Sequence, residues 1–142
     1  MRILGIDPGE KRIGVALSDP SAIIAKPLTV IKHTKRNIDA ASIVQIAREN
    51  DAGLIVIGQT LDFDGKPNLS GRRAARLAGA LKTQTSIPVI LWDEFQSTQQ
   101  AQNAQIQANV PRKKRQGHLD EYAAAVILQS YLDASKEENS NI

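Results

Sequence analysis

Three carboxylates carry the strongest chemical signal in this chain. Asp7 closes the apolar run Arg2-Ile3-Leu4-Gly5-Ile6, and a carboxylate ending a buried strand is costly unless it lies at the sheet's open edge or coordinates something. The competing role is a cap on the Pro8-Gly9 turn, where Asp is common. Glu94, with Asp93 beside it, follows the apolar stretch Val89 to Trp92. Open parallel sheets place ligands beyond the carboxyl ends of their strands, whereas an ordinary loop acid is simply solvated. Asp120 falls, at about 100° per residue, on the same helical face as Ala124, Ile127 and Tyr131, the centre of an apolar stripe. Attraction to the helix dipole, about 0.3–1 kcal/mol, accounts for an acid at a helix start but not for one that faces inward.

Carboxylates that converge repel one another unless hard cations sit between them. Asp7, Glu94 and Asp120 are therefore candidate ligands and catalytic groups for two-metal phosphoryl chemistry. In that chemistry two Mg²⁺ (or Mn²⁺) ions, about 3.5–4 Å apart, activate water and grip the scissile phosphate. His33 and His118 add no metal-ligand spacing and read as surface or cap residues, so zinc is not expected. The chain has no cysteine, which excludes a thiol nucleophile and a disulfide scaffold and suits a reducing cytoplasm.

Basic residues supply the complementary half of a nucleic-acid reading. Arg112, Lys113, Lys114 and Arg115 stand together just before Asp120, and Arg72, Arg73 and Arg76 form a second group. Lys11 and Arg12, after the Asp7 turn, complete the candidate phosphate contacts. Charge runs are commonly just solvated, and solubility is the plain reading of Arg72, Arg73 and Arg76, but the Arg112 to Arg115 run stands immediately before Asp120, where a backbone contact would be useful. The net charge is +3, and Trp, Tyr and Phe total only 1, 2 and 2, so backbone or shape recognition is expected over base stacking.

The elements that must position these groups follow from periodicity. Arg2 to Asp7, Arg12 to Ser18 and Ile23 to Ile31 read as three strands joined by hairpins, with Pro27 favouring an edge position for the third. Ala40, Ile43, Val44 and Ala47 mark a helix from near Asn37, and Leu54 to Gly58 reads as a strand covered on both faces. Ala74, Leu77, Ala78 and Leu81 mark a second helix, followed by a strand from Pro88 to Trp92. Ser97-Thr98-Gln99-Gln100 matches a capping box for a Gln-rich helix to about Gln107, and a last helix is expected from Leu119 to Ala134. Antiparallel hairpins followed by helix-linked parallel strands predict an α/β fold with a mixed five-stranded sheet and helices on both faces.

These pieces resemble the YqgF (RuvX-like) family. The resemblance is carried by Gly5-Ile6-Asp7-Pro8-Gly9, Arg12 to Ala16 with Ser18-Asp19, Ile57-Gly58 with Asp64-Gly65, Asp93-Glu94 with Ser97-Thr98, and Asp120 to Leu128. It implies an RNase H-like fold and a nuclease, described for the family both as a Holliday junction resolvase and as a maturase of the 5′ end of pre-16S rRNA. Residue by residue, the family's acidic positions fall on Asp7, Glu94 and Asp120. Two departures stand out: Gln59-Thr60 where the family usually has Leu-Pro, and Phe95 where it usually has Arg, with Gln96 after it in place of Leu.

A second reading stays open, a non-catalytic RNA- or ribosome-precursor-binding module that keeps the acids for structure. The Asp-Pro-Gly hairpin also resembles the first phosphate loop of actin-like and sugar-kinase ATPases, which close two such domains on a nucleotide. At 142 residues the chain fits one domain, expected over 1–135 with a flexible polar tail at 136–142. Its apolar runs are too short for a membrane span. A symmetric junction substrate would call for a homodimer.

Overall fold

The computed structural model describes residues 1–59, 69–93 and 119–140. Strands β1 (Arg2–Pro8), β2 (Arg12–Ser18) and β3 (Ala25–Lys32) come first. Helix α1 (Arg36–Glu49), β4 (Ala52–Gln59), α2 (Leu69–Gln84), β5 (Val89–Asp93) and α3 (Leu119–Ser140) follow. The strands form one sheet in the order β3-β2-β1-β4-β5. β2 pairs antiparallel with both β1 and β3, while β1–β4 and β4–β5 are parallel. The hairpins and helical crossovers expected from the sequence thus yield the mixed sheet.

β1 and β4 are central and apolar on both faces, so the sheet divides the core in two. On one face Leu4, Ile6, Ile55 and Ile57 pack with Ile43 and Val44 of α1 and Leu77 and Leu81 of α2. On the other, Ile3, Ala16 and Val56 pack with Ala124, Leu128 and Leu132 of α3. Leu4, Ile6, Ile55, Ile57 and Leu128 are fully buried, each contributing about 1.5–3 kcal/mol of transfer free energy.

Element boundaries moved where local hydrogen bonding competes with the pattern. β3 starts at Ala25 rather than Ile23, because the Asp19 carboxylate accepts the N–H groups of Ile23 and Ile24, both at 2.8 Å, and holds them in a turn. Pro27 does lie in an edge strand, beside a register shift that leaves Leu28 as the extra residue. α1 starts at Arg36, one residue before Asn37. β5 begins at Val89 because Pro88 has no N–H to give; its carbonyl accepts from Ile55 at 2.9 Å. α3 runs to Ser140, beyond Ala134 where its apolar stripe ends, since Ser135 to Ser140 contains neither Gly nor Pro to stop it. The helix expected from Ser97 to Gln107 lies outside the described residues. Among those described, no helix is long and apolar enough to cross a membrane.

Candidate functional site

The pleat of β1 decides what Asp7 faces. Leu4 and Ile6 point to the α1/α2 side and Ile3 to the α3 side, so alternation puts Gly5 and Asp7 on the α3 side with Ile3. Gly5 is where the helix lands. A Cβ there would lie 2.7 Å from Leu128 Cβ and 3.2 Å from the Ala124 carbonyl oxygen, so only the missing side chain lets α3 close on the strand. Asp7 lies two residues further along the same face, about 6.6–6.8 Å on. It is half-buried, opposite Gly14 of β2.

The helix is oriented by a second contact. Gln129 accepts from the Ala25 N–H at 2.9 Å and donates to the Ile23 carbonyl at 2.9 Å, and Ala25 pairs with Ser18 near the amino-terminal end of β1. With Gln129 at that end and Ala124 over Gly5, the first turn of α3 points towards the Asp7 end. Asp120 belongs to that turn, four residues or about 6 Å of helix rise before Ala124. Its side chain is outside the description. On the far side, Trp92 of β5 donates to Ser130 Oγ at 3.2 Å and packs edge-on against Tyr131, with ring centroids 5.4 Å apart.

The parallel strands bring their carboxyl ends to one edge, since Ile6 pairs with Ile57 and Gln59 with Asp93. Asp93 is half-buried there. Glu94, the next residue, lies outside the described residues. Among the described residues no three His, Asp or Glu side chains gather as a metal site. The expected triad itself supplies only carboxylate oxygens, the donor class that suits Mg²⁺ and Mn²⁺.

The basic candidates separate by position. Lys11 and Arg12 are exposed beyond the β1–β2 turn, which is tight at Gly9. Its N–H donates to the Arg12 carbonyl at 2.9 Å, and a Cβ there would collide with that oxygen. On α2, Arg72 and Arg76 are exposed and Arg73 is half-buried. Arg73 and Arg76, one turn apart, line a cavity of about 430 Å³ with Pro8, Gly9, Lys35 and Arg36. Arg112, Lys113, Lys114 and Arg115, like His118, lie outside the described residues.

That cavity also holds a pair the sequence reading missed. His33 is more than a surface residue: its ring Nδ1 bonds to Asp39, whose side chain is 3% exposed. Asp39 also accepts from the Thr34 N–H at 3.0 Å and Thr34 Oγ1 at 3.3 Å. The signal was available. Asp39 sits four residues before Ile43 and eight before Ala47, on the apolar stripe of α1, by the same criterion that singled out Asp120.

With this geometry in place, the chain matches the model of the RuvX family, described as Holliday junction resolvase, over residues 1–134. It is 43% identical over 137 residues to a "Putative pre-16S rRNA nuclease" of Thermoanaerobacter pseudethanolicus, covering 96% of this chain and 99% of that protein. It is 45% identical over 139 residues to the protein of the same name from Syntrophus aciditrophicus, covering 97% and 92%. Among solved structures, Thermus thermophilus RuvC in complex with Holliday junction substrate superposes with a TM-score of 0.62 at 16% identity, covering 95% of this chain and 96% of that one. The fowlpox virus Holliday junction resolvase gives 0.54 at 14% identity, covering 94% and 99%. At these identities the two structures speak for the fold alone.

Proposed function

Because this chain belongs to the RuvX Holliday junction resolvase family, a family of nucleases, we propose that it is a Mg²⁺- or Mn²⁺-dependent endonuclease acting on structured nucleic acid. The observation that carries the reading is the placement of Asp7. It ends the central strand on the face closed by α3, whose first turn contains Asp120. Relatives about 40% identical are named for pre-16S rRNA, so a precursor of ribosomal RNA is the leading substrate and a four-way DNA junction the other.

Asp7, Glu94 and Asp120 would hold the metal. When bound, the two ions would activate water and offset the charge that builds on the scissile phosphate. Asp7 is fixed by a strand hydrogen-bonded on both sides, and rigid placement of this kind is what in-line phosphoryl chemistry requires. Lys11, Arg12 and the Arg112 to Arg115 run would hold backbone phosphates of the substrate. A four-way junction would bring two copies of the chain to its two symmetric strands.

The test is cleavage of a labelled pre-16S rRNA fragment and a four-way DNA junction, with Mg²⁺, with Mn²⁺ and with chelator. Metal-dependent product from either substrate is the expected result and identifies the substrate class. The Phe95 departure favours the non-catalytic module as the second reading. Binding of either substrate in chelator, with no product under any metal, would select that reading instead.

A further inference from the structure

The cavity on the α1/α2 side of the β1–β2 turn has no part in the acidic site, yet it begins at Pro8 and Gly9, the residues directly after Asp7. Its charge is one-sided. Lys35 and Arg36 from the start of α1 and Arg73 and Arg76 from α2 line it, against the single carboxylate of Asp39. That carboxylate is buried and engaged by Thr34 and His33, so it presents little of its charge to the cavity. Among the described residues the four cations enter no salt bridge. Four cations in a concave site concentrate positive potential and attract an anion, and arginine is the side chain suited to phosphate oxygens.

We propose that this cavity is a phosphate subsite that holds a backbone phosphate of the bound nucleic acid other than the scissile one. The proposal rests on the nuclease reading for the identity of the ligand. Asp7 and the cavity lie on opposite faces of β1 at the same strand end, so a strand crossing the sheet's carboxyl edge would meet both. Arg73 and Arg76 are one turn apart and present their side chains in one direction. Asp39 fixes the His33 ring by its Nδ1, which positions the imidazole at the cavity wall and makes it a reporter of occupancy.

Two measurements test this. The first is binding of the rRNA-precursor fragment and the DNA junction in chelator across a salt series, for wild type, Arg73→Ala/Arg76→Ala and Arg48→Ala/Lys82→Ala. The last pair removes two charges from the last turns of the same helices, away from the cavity. The expected result is a loss of about tenfold or more for the cavity variant, with the salt slope reduced by about 2, and little change for the other. Equal affinity and slope in the two variants would overturn the proposal. The second is the His33 ring signal in NMR during titration with inorganic phosphate. A saturable shift, absent from Arg73→Ala/Arg76→Ala, is expected, and no shift would show that the cavity holds no phosphate. If the wild type binds neither nucleic acid while phosphate still shifts His33, the subsite serves a free phosphate compound, and both its assignment here and the nuclease reading fail. Nucleic-acid binding without any effect at the cavity leaves the nuclease reading standing and removes only this subsite.

Discussion

Asp7 and Asp39 are both carboxylates near the carboxyl edge of the sheet, on opposite faces, and they differ in what surrounds them. Asp39 is almost wholly buried and is bonded by groups within six residues of it, the Thr34 N–H and hydroxyl and the His33 ring. It ties the end of the β3–α1 connection to the helix and is part of the scaffold. Asp7 is half-buried at the end of a strand that has no room for a side chain at Gly5, on the face where a second acid-bearing element arrives. Burial alone therefore does not identify the chemical acid. Asp39 is held by groups of its own connection, whereas Asp7 stands at the carboxyl end of a strand, where open sheets take their ligands.

Substitutions can break this contrast directly. Asp7→Asn should lower metal-dependent cleavage by about 10³-fold or more, the value of several kcal/mol of lost transition-state stabilisation. Its thermal midpoint should stay equal or rise if Asp7, Glu94 and Asp120 converge as proposed, because one of the mutually repelling charges is then gone. Single-turnover cleavage and thermal melting on the same preparation check both parts. Gly5→Ala should cost about 1–3 kcal/mol, since the new methyl would meet Leu128 and the Ala124 carbonyl. Cleavage should fall with it as α3 and its first turn lift from β1, measured by denaturant titration alongside the rate.

Asp39→Ala should show the opposite profile to Asp7→Asn, losing about 1–3 kcal/mol of stability as the Thr34 and His33 donors lose their acceptor. A midpoint unchanged in urea would deny Asp39 its scaffold role. The smallest effect is expected at Asp19. Bonds from the N–H groups of Ile24, Ile23 and Ser21 hold its carboxyl below the ordinary range near 3.8. Its folded value is depressed, so its contribution is complete above the ordinary carboxylate range and is lost as pH falls through the lowered value. Asp19→Asn should flatten the acid limb of a thermal-midpoint profile taken from neutral pH to about pH 2.

Much of the sheet was legible because its cause is local. The continuous apolar runs of β1 and β4, the hairpin turn at Pro8-Gly9 and the edge signal of Pro27 each act within a few residues. The position of Asp7 near the carboxyl end of β1 was legible for the same reason: a charge closing an apolar run is an anomaly in one dimension. The cavity was not, because Lys35 and Arg36 are joined to Arg73 and Arg76 only by a crossover through β4. The Asp39–His33 pair was hidden by a different cause. The stripe of α1 was read from its apolar members, and the acid on that stripe went unexamined. The start of β3 was missed because side-chain bonds from Asp19 outcompete strand pairing at Ile23 and Ile24.

The central claim is the proposal that Asp7, Glu94 and Asp120, and not the buried Asp39 on the α1/α2 face, form the divalent-cation site. Calorimetric titration of Mn²⁺ into the wild type, Asp7→Asn, Glu94→Gln, Asp120→Asn and Asp39→Asn tests it without any substrate. The account predicts saturable binding by the wild type, weakened about tenfold or more in each of the first three variants and unchanged in Asp39→Asn. Full Mn²⁺ affinity in Asp7→Asn, or a loss confined to Asp39→Asn, would contradict it.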